Sequence, residues 1–279
     1  MCGIVGVVSL KEKSVDVDLC KALVDILEHR GPDDSGYLYF HTGARHQKNI
    51  SFYVNLTDQK FKHINETLNS IEQDSIQQEL HEHDYDLFFG FRRLSILDLT
   101  PMGHQPMSDL SKNIWLIFNG EIYNFKEIRE ELKKYGHKFK SKTDSEVIIY
   151  SYIQWGFECA KKFNGMFAFA IYDNFKKILF LCRDRYGIKP LYWTLTPNQD
   201  FIFASEIKSI IKYKSYKMDI DREGIIEYFT FQNFFTNKTL YKDIFLLEPG
   251  NFMVIDLITK EIKKFEYWDF NFDNQQKEK

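Results

Sequence analysis

Cys2 is the residue of this chain best placed to do chemistry. Removal of Met1 is expected because the next residue is small, and it would leave a thiol and a free α-amine on one residue. Such an amine titrates at about 7.7–8.0, so a neutral fraction is present at pH 7. It can take the proton of its own side chain, directly or through a water, and the thiolate is the attacking species. Taken alone, a cysteine at position 2 is more often just an early core residue. Cys20, Cys159 and Cys182 show no CxxC pairing. Cys20 falls in a helical pattern and Cys182 in a strand pattern, where a buried thiol is ordinary, and a reducing cytoplasm fits this cysteine usage.

Other segments add polar groups of the kinds such a nucleophile needs. His29-Arg30-Gly31-Pro32-Asp33-Asp34-Ser35-Gly36 packs glycines, a proline and charges into one turn. Arg92-Arg93-Leu94-Ser95-Ile96 sets two guanidinium groups beside an apolar run. Asn119-Gly120-Glu121-Ile122-Tyr123-Asn124 follows a strand pattern and precedes a helical one. Residues 180–192 bring Arg183-Asp184 and then Gly187-Ile188-Lys189-Pro190. The histidines His41, His46, His63, His81 and His83 are irregularly spaced in a polar stretch, which reads as a solvated loop rather than a metal site. Neither GxGxxG nor GxxxxGKS/T occurs, so no phosphate cradle is visible.

Taken in order, MCGI at the start, HRGPD, RRLSI, NGEIYN, Thr143-Asp144-Ser145-Glu146, GMFAFAIYD, RDRYGIKPLY and FASEIK give the chain a clear likeness. It resembles the N-terminal glutaminase domain of glutamine-dependent asparagine synthetases, which are class II glutamine amidotransferases among the N-terminal nucleophile hydrolases. A weaker likeness continues through Glu248-Pro249-Gly250 and Tyr267-Trp268. The resemblance covers nearly the whole chain apart from residues 41–86.

The resemblance implies that Cys2 attacks the side-chain carbonyl of glutamine and forms a γ-glutamyl thioester. The Asn119 amide and the Gly120 N–H would form the oxyanion hole, Gly120 also letting the backbone approach substrate without a Cβ in the way. Arg93 would fork onto the α-carboxylate, with Arg92 as the alternative, and Asp144 would pair with the substrate ammonium. Asp144 could equally sit in the first turn of its helix for local reasons. Glu121 is a weaker substrate-side candidate. Arg30 is expected to support the Cys2 loop, and Arg183 with Asp184 to form a structural ion pair or a domain contact.

No metal or cofactor is expected in this chain. ATP and Mg²⁺ are expected only in a C-terminal synthetase domain, whose SGGxDS loop is absent here. Expected partners are glutamine and such a synthetase domain in cis or trans, with a homodimer left open. The alternative keeps the glutaminase but has it serve amidation of another carboxylate, such as a sugar acid of a surface polysaccharide. Membrane and nucleic acid are not expected. No apolar stretch approaches the roughly 20 residues of a membrane span, and the formal net charge of -3 gives no nucleic-acid footprint.

The elements that must position these groups are strands in runs, with helices set apart, which favours α+β over a doubly wound parallel sheet. The resemblance sharpens this to a four-layer αββα sandwich, two mainly antiparallel sheets between helical layers. Strands are expected at Gly3 to Ser9, Tyr37 to Phe40, Leu87 to Leu97 and Ile114 to Phe118. Hairpins are expected around Asp173-Asn174 and between Phe252 and Tyr267. Helices are expected through Leu19–Leu27, around Ile64, Leu68 and Ile71, over Asn124–Tyr135, from Thr143 towards Trp155, and at Ile207–Ile211. The domain should run over residues 2–270, with a polar insertion at about 41–86 on one edge and a linker start or frayed tail at 271–279.

Overall fold

The computed structural model describes residues 1–11, 13–43, 51–213 and 216–270. His46 and the 271–279 tail lie outside the described residues. In chain order the first half holds β1 (Gly3–Ser9), α1 (Val17–Asp25), β2 (Asp34–His41), β3 (Phe52–Thr57), β4 (Asn69–Ser70), α2 (Asp74–Glu82), β5 (Leu87–Arg93), β6 (Met107–Ser108) and β7 (Ile114–Ile122). There follow α3 (Phe125–Lys134), α4 (Asp144–Trp155), α5 (Cys159–Lys162), β8 (Gly165–Asp173), β9 (Ile178–Arg183), β10 (Tyr192–Leu195) and β11 (Asp200–Ala204). The last elements are α6 (Ile207–Lys212), α7 (Arg222–Phe231), β12 (Phe245–Leu246), β13 (Asn251–Asp256) and β14 (Ile262–Glu266).

The strands form two sheets. The larger has the order β12-β10-β11-β1-β5-β2-β3-β4, and the smaller β14-β13-β9-β8-β7-β6. Pairing is antiparallel except between β3 and β4. Side chains alternate between faces along a strand, and three cores result. Phe89 and Phe91 of β5 meet Trp115 and Ile117 of β7 between the sheets. Phe88 faces the other way, onto Leu23 and Val24 of α1. Leu116 and Phe118 of β7 back onto Leu132, Val147 and Ile148 of α3 and α4. This is the expected αββα layering. It explains why the central strands read as continuous apolar runs, since both their faces are buried.

Capping chemistry sets the helix that matters most to the site. Thr143 caps α4, its Oγ1 accepting from Glu146 N at 3.3 Å. The Glu146 carboxylate does not close a capping box. It accepts instead from Lys140 N at 2.8 Å and Ser141 N at 2.7 Å, bracing the loop that enters the helix.

Three sequence expectations need correction. No helix forms around Ile64, Leu68 and Ile71; that segment turns into β4, and the helix is α2, ten residues on, with Ile76 and Leu80 inward. The apolar spacing suited a helix, but Asn65, Thr67 and Ser70 spend their side chains on local bonds such as Thr67 Oγ1 to Asn65 Oδ1 at 2.6 Å, which compete with helical backbone. The strand expected to reach Leu97 ends at Arg93, and α7 had no counterpart among the expected helices. β3 and β4, which fall within residues 51–86, end the larger sheet.

Phe89 tests the inter-sheet core. It is fully buried, with Phe40 and Phe203 edge-on at 6.2 and 6.0 Å. Phe89→Ala is expected to lower unfolding free energy by about 3–5 kcal/mol in denaturant titrations. A loss below about 1 kcal/mol would show that this core does not hold the sheets together.

Candidate active site

A cleft opens where the C-terminal ends of β5 and β7 meet the start of β1. Cys2, Arg93, Asn119, Gly120, Glu121 and Asp144 all line it. These are the six positions singled out from the sequence, and chain separations of up to 142 residues close to one site.

Cys2 Sγ sits at the backbone of Leu94, 3.4 Å from the donating N–H and 3.6 Å from the carbonyl. Burial pushes its thiol up from the ordinary value, opposed by the Leu94 N–H, the nearby terminal amine and Arg93. Met1 also lines the cleft. Leu94 begins the loop after β5, which Asp33 clasps by accepting from Ser95 N at 2.8 Å.

Strand alternation sends the two arginines in opposite directions. Arg92 points to α1, with Nε donating to Val24 O at 3.3 Å and Nη2 to Asp25 Oδ1 at 2.9 Å. Arg93 points to the cleft. Its Nη1 donates to Thr100 O at 3.1 Å and its Nη2 to Asp98 O. Those bonds fix the plane of the guanidinium and use two of its five donors.

Asn119 and Gly120 lie within β7, opposite Ala168 and Phe167 of β8. Asn119 is 1% exposed, and its Nδ2 has no hydrogen-bond partner. The absent Cβ of Gly120 has a different reason from the expected one. A Cβ there would strike Met166 O and Phe167 Cα, so the glycine permits close approach of β8 rather than of substrate.

Asp144 opens α4 and is 4% exposed; its Oδ2 accepts from Ile122 N at 2.9 Å. Burial raises its carboxyl to about 6 despite bonds from the Ile122, Asp144 and Ser145 N–H groups, and the Glu121 charge adds to the rise.

Gln105 and Lys189, both of which line the cleft, had no role in the sequence reading. Gln105 is buried, accepts from Phe118 N at 2.7 Å and donates to Ser145 Oγ at 3.2 Å. It ties the strand before Asn119 to the helix turn after Asp144. Lys189 is buried, held by Asp184 Oδ2 at its N–H and by Arg183 Nε at its carbonyl. Arg183 and Asp184 thus spend their hydrogen bonds on the backbone of residues 186–189 and of neighbouring strands. Of the two expected readings, an ion pair or a domain contact, the first gives way to a loop clamp, each side chain bonding to backbone. Neither Gln105 nor Lys189 stands out by periodicity: Gln105 works through contacts to distant elements, and Lys189 is held within a tight loop by side chains five and six residues before it.

The family model described as a glutamine amidotransferase domain matches residues 49–268. The chain belongs to the class II glutamine amidotransferases. The match begins inside the polar 41–86 stretch and past Cys2. Among curated relatives, asparagine synthetase (glutamine-hydrolyzing) 1 of Bacillus subtilis is 35% identical over 254 residues, 90% of this chain and 33% of that protein. Asparagine synthetase (glutamine-hydrolyzing) 2 of the same organism is 31% identical over 276 residues, 96% of this chain and 30% of that one. The chain spans from about a quarter to just under half the length of the curated relatives it matches. The glutamine phosphoribosylpyrophosphate amidotransferase of B. subtilis matches with a TM-score of 0.64 at 15% identity, over 96% of this chain and 49% of that one. That likeness supports the N-terminal nucleophile hydrolase fold of this amidotransferase domain. No helix among the described residues is long and apolar enough to cross a membrane.

The Asp144 carboxyl yields a test with a definite sign. Its folded value, about 6, lies above the unfolded value of about 3.9. Its contribution to stability is therefore fully present below the unfolded value and lost as pH rises through 6. Asp144→Asn should be more stable than wild type at pH 7.5, by about 1–3 kcal/mol. The gap should shrink below pH 6 and vanish near pH 4. Denaturant midpoints measured across that range check it; a gap independent of pH would rule out the buried-anion account.

Proposed function

We propose that this domain hydrolyses glutamine to glutamate and ammonia through a thioester on Cys2. The observation that carries the reading is the buried Nδ2 of Asn119, a donor without a partner in the cleft that holds the Cys2 thiol. A buried amide left unbonded costs about 1–3 kcal/mol, which a developing oxyanion would repay. The cleft volume of ≈ 180 Å³ suits a small amino acid better than a nucleotide.

On this reading Arg93 takes the α-carboxylate and Asp144 the α-ammonium, with Glu121 a weaker contributor. A cation beside Asp144 would also relieve the carboxylate's burial penalty. With Met1 removed, the Cys2 amine accepts the thiol proton, and sulfur attacks the amide carbon. The carbonyl oxygen gains negative charge opposite Asn119 Nδ2 and the Gly120 N–H. Collapse breaks the C–N bond, and ammonia departs with the proton held by the amine. Water then adds to the thioester, releasing glutamate and restoring the thiol.

The ammonia would serve ATP-dependent amidation of an acceptor carboxylate, with aspartate favoured because the named relatives are asparagine synthetases. ATP and Mg²⁺ would be held in the part of the relatives' length that this chain does not span, and among the described residues no His, Cys, Asp and Glu group is arranged to hold a metal ion.

Ammonia and glutamate should appear in equal amounts from glutamine, and Cys2→Ala should release neither. Asn119→Ala is expected to lower kcat by about 10²–10³ with little change in KM, because the contact matters mainly in the transition state. Near-normal kcat would remove Asn119 from the mechanism. Arg93→Lys keeps the charge but loses the fork, so glutamine binding should weaken by about 1.5–3 kcal/mol. Intact mass should show loss of one methionine, and a permanent N-terminal tag should abolish turnover in folded protein. Full activity with Met1 retained would overturn the role given to the Cys2 amine.

A further inference from the structure

Two residues some 200 positions along the chain close onto its first four. β1 pairs with β11 from Ser9 opposite Asp200 to Val5 opposite Ala204. Past Ala204 the chain turns away into α6, so the ladder on that side of β1 stops short of the nucleophile. Ser205 and Glu206 take over. Ser205 N donates to Ile4 O at 2.9 Å, and its Oγ accepts from Ile4 N at 3.0 Å, so one buried residue satisfies both backbone groups of Ile4. Glu206 Oε1 accepts from Arg30 Nη1 at 2.9 Å, and Arg30 Nε donates to the Cys2 carbonyl at 2.9 Å.

His29 Nε2 meets the same oxygen at 2.9 Å, and Lys208 Nζ meets Oε2 at 3.1 Å. Burial opposes its ionisation, but hydrogen bonds from Arg30, His29 and Lys208 outweigh that and bring it to about 2. Glu206 therefore stays an anion across the working range of pH. α6, which follows directly, is fastened to α1 by Ser209 Oγ donating to Leu23 O at 3.2 Å. The Ser205-Glu206 corner thus stands on fixed ground, and neither residue lines the cleft.

We propose that Glu206, acting through Arg30, and Ser205, acting through Ile4, are positioning residues for the Cys2 nucleophile. The inference rests on the reading of Cys2 as nucleophile. A chain end has no preceding backbone to hold it and frays unless tied down. After loss of Met1, the Cys2 carbonyl and the Ile4 backbone are the handles through which this side of the sheet can fix the thiol. A displacement of about 1 Å at a reacting atom can cost on the order of 10² in rate. The substrate-holding groups, Arg93 and Asp144, are fastened separately, to the 98–100 loop and to β7. Loss of the corner should therefore misplace the attacking atom without loosening the glutamine site.

The test measures kcat and KM for glutamine hydrolysis, with thermal melts, in Glu206→Gln, Glu206→Asp and Ser205→Ala. Glu206→Gln is expected to lower kcat by about 10- to 100-fold. KM should stay within about twofold, since binding free energy is untouched. Glu206→Asp should recover part of the loss, and Ser205→Ala should show the same split at smaller size. If Glu206→Gln fails to fold, Ser205→Ala decides. The proposal is overturned if both variants keep wild-type kcat per folded molecule, or if KM rises as far as kcat falls. Cys2→Ala separates the two readings: activity in that variant sinks the nucleophile assignment itself. An inactive Cys2→Ala beside fully active Glu206→Gln and Ser205→Ala sinks only the positioning role.

Discussion

The hydrogen bond from Arg30 Nε to the Cys2 carbonyl joins the part of the chain that most needs order to the part that can supply it. On the proposed reading, with Met1 removed, the nucleophile sits at a chain end, ordinarily the least ordered part of a domain. The fold answers by making β1 a central strand. β1 lies between β11 and β5, so residues 5–8 pair with strands on both sides, and the whole of Gly3–Ser9 is buried. The apolar content of Gly3–Ser9 thus does more than fill a core. It gives Cys2, the proposed nucleophile, a rigid base in β1, while the Cys2 carbonyl itself is held by a side chain, Arg30, from the turn before β2.

The cleft itself is built against stability. Asn119 buries a donor with nothing to bond, and Asp144 buries a carboxyl at an energetic cost. In a protein whose net stability is typically only about 5–15 kcal/mol, two such groups are a substantial fraction. They persist because the surrounding contacts leave them no way to relax. Asn119 sits inside the β7–β8 ladder, and Asp144 is locked between the Ile122 N–H and the first turn of α4. Polar groups held ready in this way need no reorganisation when charge develops beside them, which is the condition under which hydrogen-bond donors contribute most to catalysis.

The candidate site was more legible in the sequence than the fold's edges were. Cys2, Arg93, Asn119 and Asp144 lie in compact motifs, and each motif reports a local need: a small residue next to the proposed nucleophile, a polar pair at a strand end, a capped helix start. Strand runs were legible for the same reason, because burial on both faces leaves an unbroken apolar signature. Residues 64–71 misled because apolar spacing alone cannot register that Asn65, Thr67 and Ser70 bond locally. The short strand β4 that forms there is fixed by β3, a tertiary partner. Gln105 escaped notice because its work lies in one accepted and one donated bond to distant elements. Its sequence neighbourhood carries no period that would mark it.

The glycines of the motifs make the same point about non-local cause. Gly31, Gly36 and Gly120 do not require a left-handed backbone, since none has positive φ. Each instead faces another segment's main chain: Gly31 the Arg92–Arg93 peptide, Gly36 the Gln105 carbonyl, Gly120 the Met166 carbonyl. All three touch segments that line the cleft. A methyl group at any of them would push a strand or loop outward and carry Arg93, Gln105 or the Asn119 strand with it. The spacing of the site is therefore set by clearance between backbones. Side chains then act from positions that a single added carbon would spoil, which ties the HRGPD, RRLSI and NGEIYN segments into one mechanical unit although they are far apart in the chain.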